Sequence, residues 1–276
     1  MQQTRQPVFR GTFYPASAKE LADAVTSHID AANVRGVAGA RAYIAPHAGY
    51  VYSGRTAGFT YKAMSAGSRA KAADTIVIIG PNHTGLGKKI SVSMADWSTP
   101  LGIALNDTDL SAGILRVNRL AEQDERAHSD EHSIEVQLPY LKKIFPEKRF
   151  VFICMMDQSA ESANALAKSI VEASDALGRK TVVLASSDMN HYEQESITKD
   201  KDMRLIGAIE RLDMQSFADL VKKLPSSTCG PGPIIAAMRF GALTGAKRAK
   251  LLDYSTSASA GSDAEHVVGY SSAAVL

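Results

Sequence analysis

Three histidines in this chain of 276 residues follow short apolar runs in the same way. Ala42-Tyr43-Ile44-Ala45 leads to Pro46 and His47. Thr75-Ile76-Val77-Ile78-Ile79-Gly80 leads to Pro81, Asn82 and His83. Thr181-Val182-Val183-Leu184-Ala185-Ser186 leads through Ser187, Asp188, Met189 and Asn190 to His191. Neutral imidazole is the commonest protein ligand for a metal ion, and it is the usual acid or base near neutral pH. A lone loop histidine is more often bonded to backbone than to a metal. Two at matching positions, with a third in a like place, point to one shared site with His47 and His83 as the first choice of metal ligands. Asp188 and His191 share a turn and suit ligand or acid–base work. Cys229 precedes a Gly/Pro-rich turn and an apolar helical segment, Ile234 to Leu243. A helix N-terminus should lower a thiol pKa there and favour thiolate as ligand or nucleophile. Cys154, between Ile153 and Met155, reads as core. His132 and Glu135, three apart at the start of a helical stretch, are expected at most to support a site. His28 reads as a surface or half-buried helix residue, and His128 and His266 have no comparable placement.

The elements that must position these residues follow from the same runs. A continuous apolar run without polar alternation is the pattern of a parallel strand buried on both faces, and a proline or glycine ends it. His47 and His83 then lie at the carboxyl ends of strands, where open α/β sheets bind ligands. Ser17, with Glu20 three residues on, makes a capping box for a helix to about Asn33. Further helices are expected from Ser53 or Gly54 to about Met64, from Asp107 to about Val117, from Glu131 to Phe145, from Ser159 to Leu177, and at about 197–211 and 213–223. Strands are expected at Lys89–Met94, Phe150–Met155, Lys250–Ser255 and His266–Val275, with loop at Trp97–Pro100. Strands alternating with helices predict one α/β domain over residues 1–276, with a mixed, largely parallel sheet flanked by helices.

Charge excludes several partners. With 31 basic and 29 acidic residues the net charge is +2, so neither nucleic acid nor a membrane surface is expected to bind through electrostatics. Two distant cysteines give no disulfide framework and fit a reducing compartment. The N-terminal residues lack the apolar core of a signal peptide, and no apolar run approaches a membrane span. A soluble cytoplasmic protein is expected.

The strings GTFYPAS, APHAGYVYSG, GPNHTG, DEHSIEVQLPYLKK, SSDMNHY, TCGPGPIIAAM and GYSSAAV, in this order and spanning almost the whole chain, resemble those of Memo-like proteins, also known as protein B of the AmmeMemoRadiSam system. That family is similar in fold to the class III extradiol dioxygenases, which hold non-haem Fe(II) with two histidines and a carboxylate and leave positions open for substrate and dioxygen. The resemblance implies His47 and His83 as the histidine ligands. It implies Cys229 near the carboxylate's place, His191 in the position of an acid/base histidine, and Asp188 beside it. Phe13, which stands where some relatives carry Trp, with Tyr14 and Tyr52 would wall the pocket. Fe(II) is the implied metal, and a thiolate ligand also suits copper or zinc. The implied activity is a metal-dependent oxidation of a small aromatic or related molecule. Two alternatives stand beside it: an adaptor-like pocket that binds a peptide, small molecule or metal without turnover, and a thiol hydrolase using Cys229, His191 and Asp188.

Overall fold

A computed structural model describes residues 3–35 and 37–276. The sequence predicts an extended N-terminal arm over residues 1–16; its first two residues, and Gly36, lie outside the described residues. A nine-stranded sheet forms the centre. Its order is His191–Glu193, Val267–Val275, Ala42–Ala45, Thr181–Ser186, Thr75–Pro81, Arg149–Met155, Ile90–Ser93 and Ala121–Gln123, with Ala249–Thr256 also paired to Val267–Val275. The four central strands, Ala42–Ala45 through Arg149–Met155, run parallel. Antiparallel strands flank them, so the sheet is mixed, as expected.

The central strands are apolar throughout because both faces are covered. Val77 and Ile79 pack into one cluster with the helices Thr108–Val117, Ala160–Ala176, Glu195–Glu210, Met214–Lys223 and Pro231–Leu243. Ile76 and Ile78 pack into the other, with Ala18–Ala31, Tyr50–Ala66, Ser68–Ala72 and Leu138–Ile144. Each fully buried side chain of this size contributes about 2 kcal/mol relative to exposure, which is why no polar alternation survives in these strands.

Register levels the strand ends. Ala45 stands opposite Ser186, and Ile79 opposite Ala185, so the chain leaves the His47, His83 and Asp188 strands side by side at one rim. The Tyr50–Ala66 helix begins directly after its N-cap Gly49, earlier than the expected start at Ser53 or Gly54. Gly54 and Gly58 lie inside it because His28 of the Ala18–Ala31 helix sits against both, and a methyl group at either would collide with it. Those glycines mark a close helix crossing rather than a helix end.

Two expectations fail locally. Glu131 to Ile134 is not helical; a short 3-10 turn, Glu135–Gln137, precedes the helix Leu138–Ile144. Of Trp97–Pro100, expected as loop, all but Pro100 lies in a strand, Asp96–Thr99, between Thr4–Arg5 and Gly102–Ala104 in a small second sheet. Among the described residues, no helix is long and apolar enough to cross a membrane.

Candidate metal centre

His47, only 2% exposed, sits in the turn between its strand and the Tyr50–Ala66 helix. Asp188 fixes that turn, since its Oδ1 accepts from the backbone N–H groups of His47 at 2.7 Å and Ala48 at 3.3 Å. The His47 ring has one nitrogen on each side of the site. Nδ1 lies 2.9 Å from Ser186 Oγ, and Nε2 lies 3.1 Å from Cys229 Sγ.

His83 is held by Glu131, a wholly buried carboxylate. The His83 backbone N–H donates to Oε2 at 2.6 Å, and ring Nδ1 lies 2.9 Å from Oε1. An ionised carboxylate only accepts, so His83 Nδ1 carries a proton and Nε2 is the nitrogen left for a metal. A carboxylate behind a histidine in this way orients the ring and raises its basicity as a ligand. Burial pulls the Glu131 pKa up, but the hydrogen bond and electrostatic attraction of the His83 ring, and then the His83 and Ser133 backbone N–H groups, outweigh it and hold the carboxyl at about 2.

One ligand atom from each of His47, His83 and Cys229 can be chosen so that all three lie within 4.8 Å of one another. Two imidazole nitrogens and a sulfur at that spacing fit a transition-metal ion, and the set suits iron, copper or zinc better than magnesium or calcium. Glu131 and His132 form a second such group with His83. His132 is expected at most to support the site. Its ring stacks on His83 with centroids 4.5 Å apart, stands edge-on to His47 at 5.2 Å, and packs against Phe13 at 4.6 Å. Burial first, and then the neighbouring His47, lower its pKa to about 3, so the ring is neutral. Burial first, then His83, likewise pushes the His47 pKa well below the ordinary imidazole range.

The thiol differs from expectation. Cys229 stands just before Gly230, the N-cap of the Pro231–Leu243 helix. Burial, and next the nearby Asp188 carboxylate, raise the Cys229 pKa well above that of a free thiol. These outweigh the hydrogen bonds that lower it, first among them the 3.1 Å bond from the Asp188 N–H to Sγ. Asp188 itself is raised by burial. Without a cation, the cluster therefore favours neutral thiol over thiolate; a bound metal reverses that order by replacing the proton.

A pocket of about 470 Å³ opens onto these residues. His47, His83, His132, Asp188 and His191 are among its walls, and Phe13, Tyr52, Tyr192 and Tyr270 supply aromatic surface. Tyr14, expected in the wall, is 3% exposed and donates its hydroxyl to Glu135 at 2.7 Å, so it anchors the arm instead. His191 borders the pocket with its Nδ1 buried and lacking a hydrogen-bond partner. His266 lines the same pocket near exposed Asp263, a placement its sequence position did not suggest. His128 is buried elsewhere against Trp97. The imidazole at hydrogen-bond distance from Cys229 is that of His47, and Asp188 Oδ1 is taken by two backbone donors. The Cys229–His191–Asp188 hydrolase arrangement therefore lacks its thiol–base pairing here.

A family model described as Memo-like protein matches residues 5–274. The chain belongs to the Memo-like protein family. Three archaeal proteins described as MEMO1 family proteins show the closeness: that of Ignicoccus hospitalis is 42% identical over 96% of both chains. That of Archaeoglobus fulgidus is 40% identical over 96% of this chain and 97% of its own, and that of Methanocaldococcus jannaschii is 38% identical over the whole of both. Among solved structures, an uncharacterized protein, JW3007, of Escherichia coli K12 superposes with a TM-score of 0.52 at 14% identity, covering 83% of this chain and 98% of its own. That likeness concerns the fold. For this Memo-like chain, the α/β architecture with a mixed sheet and flanking helices agrees with the resemblance to class III extradiol dioxygenases.

Proposed function

We propose that this Memo-like protein binds one transition-metal ion, Fe(II) first and copper or zinc as competitors, through His47 Nε2, His83 Nε2 and Cys229 Sγ, and acts on a small aromatic molecule in the adjoining pocket. The observation that carries this reading is the meeting of two imidazoles and a thiol within 4.8 Å, each presented by a different rim segment. Bound there, the ion would supply Lewis acidity and, for iron or copper, one-electron chemistry. The chain's own residues supply the rest. Glu131 holds His83 in place. Phe13, Tyr52 and Tyr270 offer aromatic faces to a flat ligand. His191, whose Nδ1 has no other partner, is the group available to take or return a proton from a ligand hydroxyl. No Lys or Arg is among the described pocket walls, which favours a neutral ligand over a phosphate or polycarboxylate.

The test is metal analysis of protein purified anaerobically, followed by oxygen uptake with a panel of catechols after Fe(II) loading. His47→Ala and His83→Ala are each expected to lose most of the bound metal while keeping wild-type circular dichroism. Equal metal content in variants and wild type removes the proposed centre. Stoichiometric metal with no oxygen uptake assigns the pocket to ligand binding without turnover. His191→Ala is expected to keep the metal and lose any turnover.

A further inference from the structure

Each histidine nitrogen can donate or accept when the ring is neutral, and only the acceptor can bind a metal. At His83 a carboxylate settles which nitrogen is which. At His47 the partner is the Ser186 hydroxyl, which can play either part, and the surrounding hydrogen bonds decide.

Ser186 Oγ has three close partners: the Ser133 carbonyl oxygen at 2.6 Å, Gln137 Nε2 at 2.8 Å and His47 Nδ1 at 2.9 Å. A hydroxyl has one proton and two lone pairs. The Ser133 carbonyl can only accept, so it takes the proton. Turning that proton toward His47 would leave two oxygens facing each other at 2.6 Å with nothing between them. Gln137 must donate, because its Nε2 also meets the Pro46 carbonyl at 3.0 Å, and a reversed amide would set oxygen against oxygen there. At the other end its Oε1 accepts from the Tyr61 hydroxyl. Both lone pairs of Ser186 therefore receive protons, one from Gln137 and one from His47 Nδ1. All four residues are buried, so no water is needed to complete the count.

We propose that Ser186 is a positioning residue: with Gln137 and Tyr61 behind it, its hydroxyl holds neutral His47 as the tautomer protonated on Nδ1, leaving the Nε2 lone pair directed at Cys229 and the metal position. The use of this lone pair rests on the metal-centre reading, whereas the tautomer follows from hydrogen-bond counting alone. His47 and His83 thereby present equivalent nitrogens, one fixed by a carboxylate and one by a hydroxyl whose own proton is already committed. The 3.1 Å contact between Nε2 and Cys229 Sγ agrees, since a neutral thiol donates its proton to a nitrogen that lacks one.

The test reads the tautomer in metal-free protein uniformly labelled with 15N. Long-range proton–nitrogen spectra distinguish a protonated ring nitrogen from one with a free lone pair, and the His47 signals are assigned by their loss in His47→Gln. The expected result is a protonated Nδ1 and an unprotonated Nε2. The reverse pattern in wild type overturns the proposal. Ser186→Ala is expected to shift His47 toward the Nε2-protonated form and to weaken Co(II) affinity about 10- to 100-fold, with Ser186→Thr restoring both. A folded Ser186→Ala protein with the wild-type tautomer and wild-type Co(II) affinity also overturns it. Should Ser186→Ala fail to fold, the wild-type spectrum decides. A wild type with Nδ1 protonated that takes up no metal sinks the metal-centre reading and leaves the tautomer assignment standing.

Discussion

At Glu131 a buried carboxylate meets two backbone donors, the N–H groups of His83 and Ser133, and the His83 ring. Glu131→Gln keeps the shape but makes one oxygen an NH2, and in either amide orientation a donor then faces a donor. With the NH2 at the Oε1 position His83 loses the acceptor that sets its tautomer, and with it at Oε2 the His83 backbone N–H loses its partner. Metal affinity is expected to fall about 10- to 100-fold, measured by calorimetric titration with Co(II), while circular dichroism stays native. Unchanged affinity would show that Glu131 shapes the loop without governing the ligand. Cys229→Ser tests softness at the same scale. A hydroxyl in place of the sulfur should cost copper and zinc more than iron, read by competition among the three metals. A uniform loss would mean that the sulfur acts through packing. The thiol is also where local sequence misleads most. A cysteine just before a helix N-terminus reads as acidified, yet burial and the Asp188 charge, neither visible along the chain, push it the other way.

Among elements, the strand-end histidines were legible because a strand buried on both faces leaves an unbroken apolar run, and a proline marks where it stops. The region 131–137 was not, because its composition is helical while its job is tertiary. Glu131 turns back to His83, and Glu135 turns outward to the N-terminal arm. Asp96–Thr99 was missed for a similar reason, since its partner Thr4–Arg5 lies far away in sequence and is too short to show a pattern. Ser186 and Gln137 sit where nothing local distinguishes them from ordinary strand and helix residues. The arm itself is keyed by one side chain. Glu135, fully buried, accepts from Arg5 Nη1 at 2.7 Å, from the Val8 and Phe9 N–H groups at 3.0 and 2.8 Å, and from the Tyr14 hydroxyl. Phe9 and Phe13 of the same arm pack on His132. Glu135→Ala strands these donors, including a nearly buried guanidinium, and is expected to cost about 3–5 kcal/mol. Chemical denaturation measures that loss. Hydrogen exchange should show it first in residues 5–14, with the central strands still protected; uniform loss of protection would mean the arm does not open on its own.

For the molecule as a whole, buried ionisable groups pull stability in opposite directions with pH. Burial lowers His128 to about 4 and His132 to about 3. Their contribution is present above the ordinary imidazole pKa near 6.5 and is lost as pH falls toward those values. Asp202 has the opposite sign. It lies in the Glu195–Glu210 helix against Gly269 of the last strand, where burial raises its carboxyl to about 7 despite donors from the Asn190 N–H at 3.0 Å and the Tyr254 hydroxyl at 2.9 Å. The folded state thus holds a proton that the unfolded chain releases near pH 4. That contribution is full below about pH 4 and is lost as pH rises through about 7, on the order of 4 kcal/mol at its largest. Asp202→Asn is neutral at every pH, so subtracting its unfolding free energy from that of the wild type cancels the histidines and leaves Asp202. In metal-free protein the difference is expected to move against the wild type from about pH 4 to about pH 8, and to level off once the carboxyl is ionised. Parallel stability curves for the two proteins would mean that Asn190, Tyr254 and water solvate the carboxylate well enough to offset its burial. Because Asn190 lies between Asp188 and His191, the same residue links the molecule's acid–base balance to the loop that borders the metal pocket.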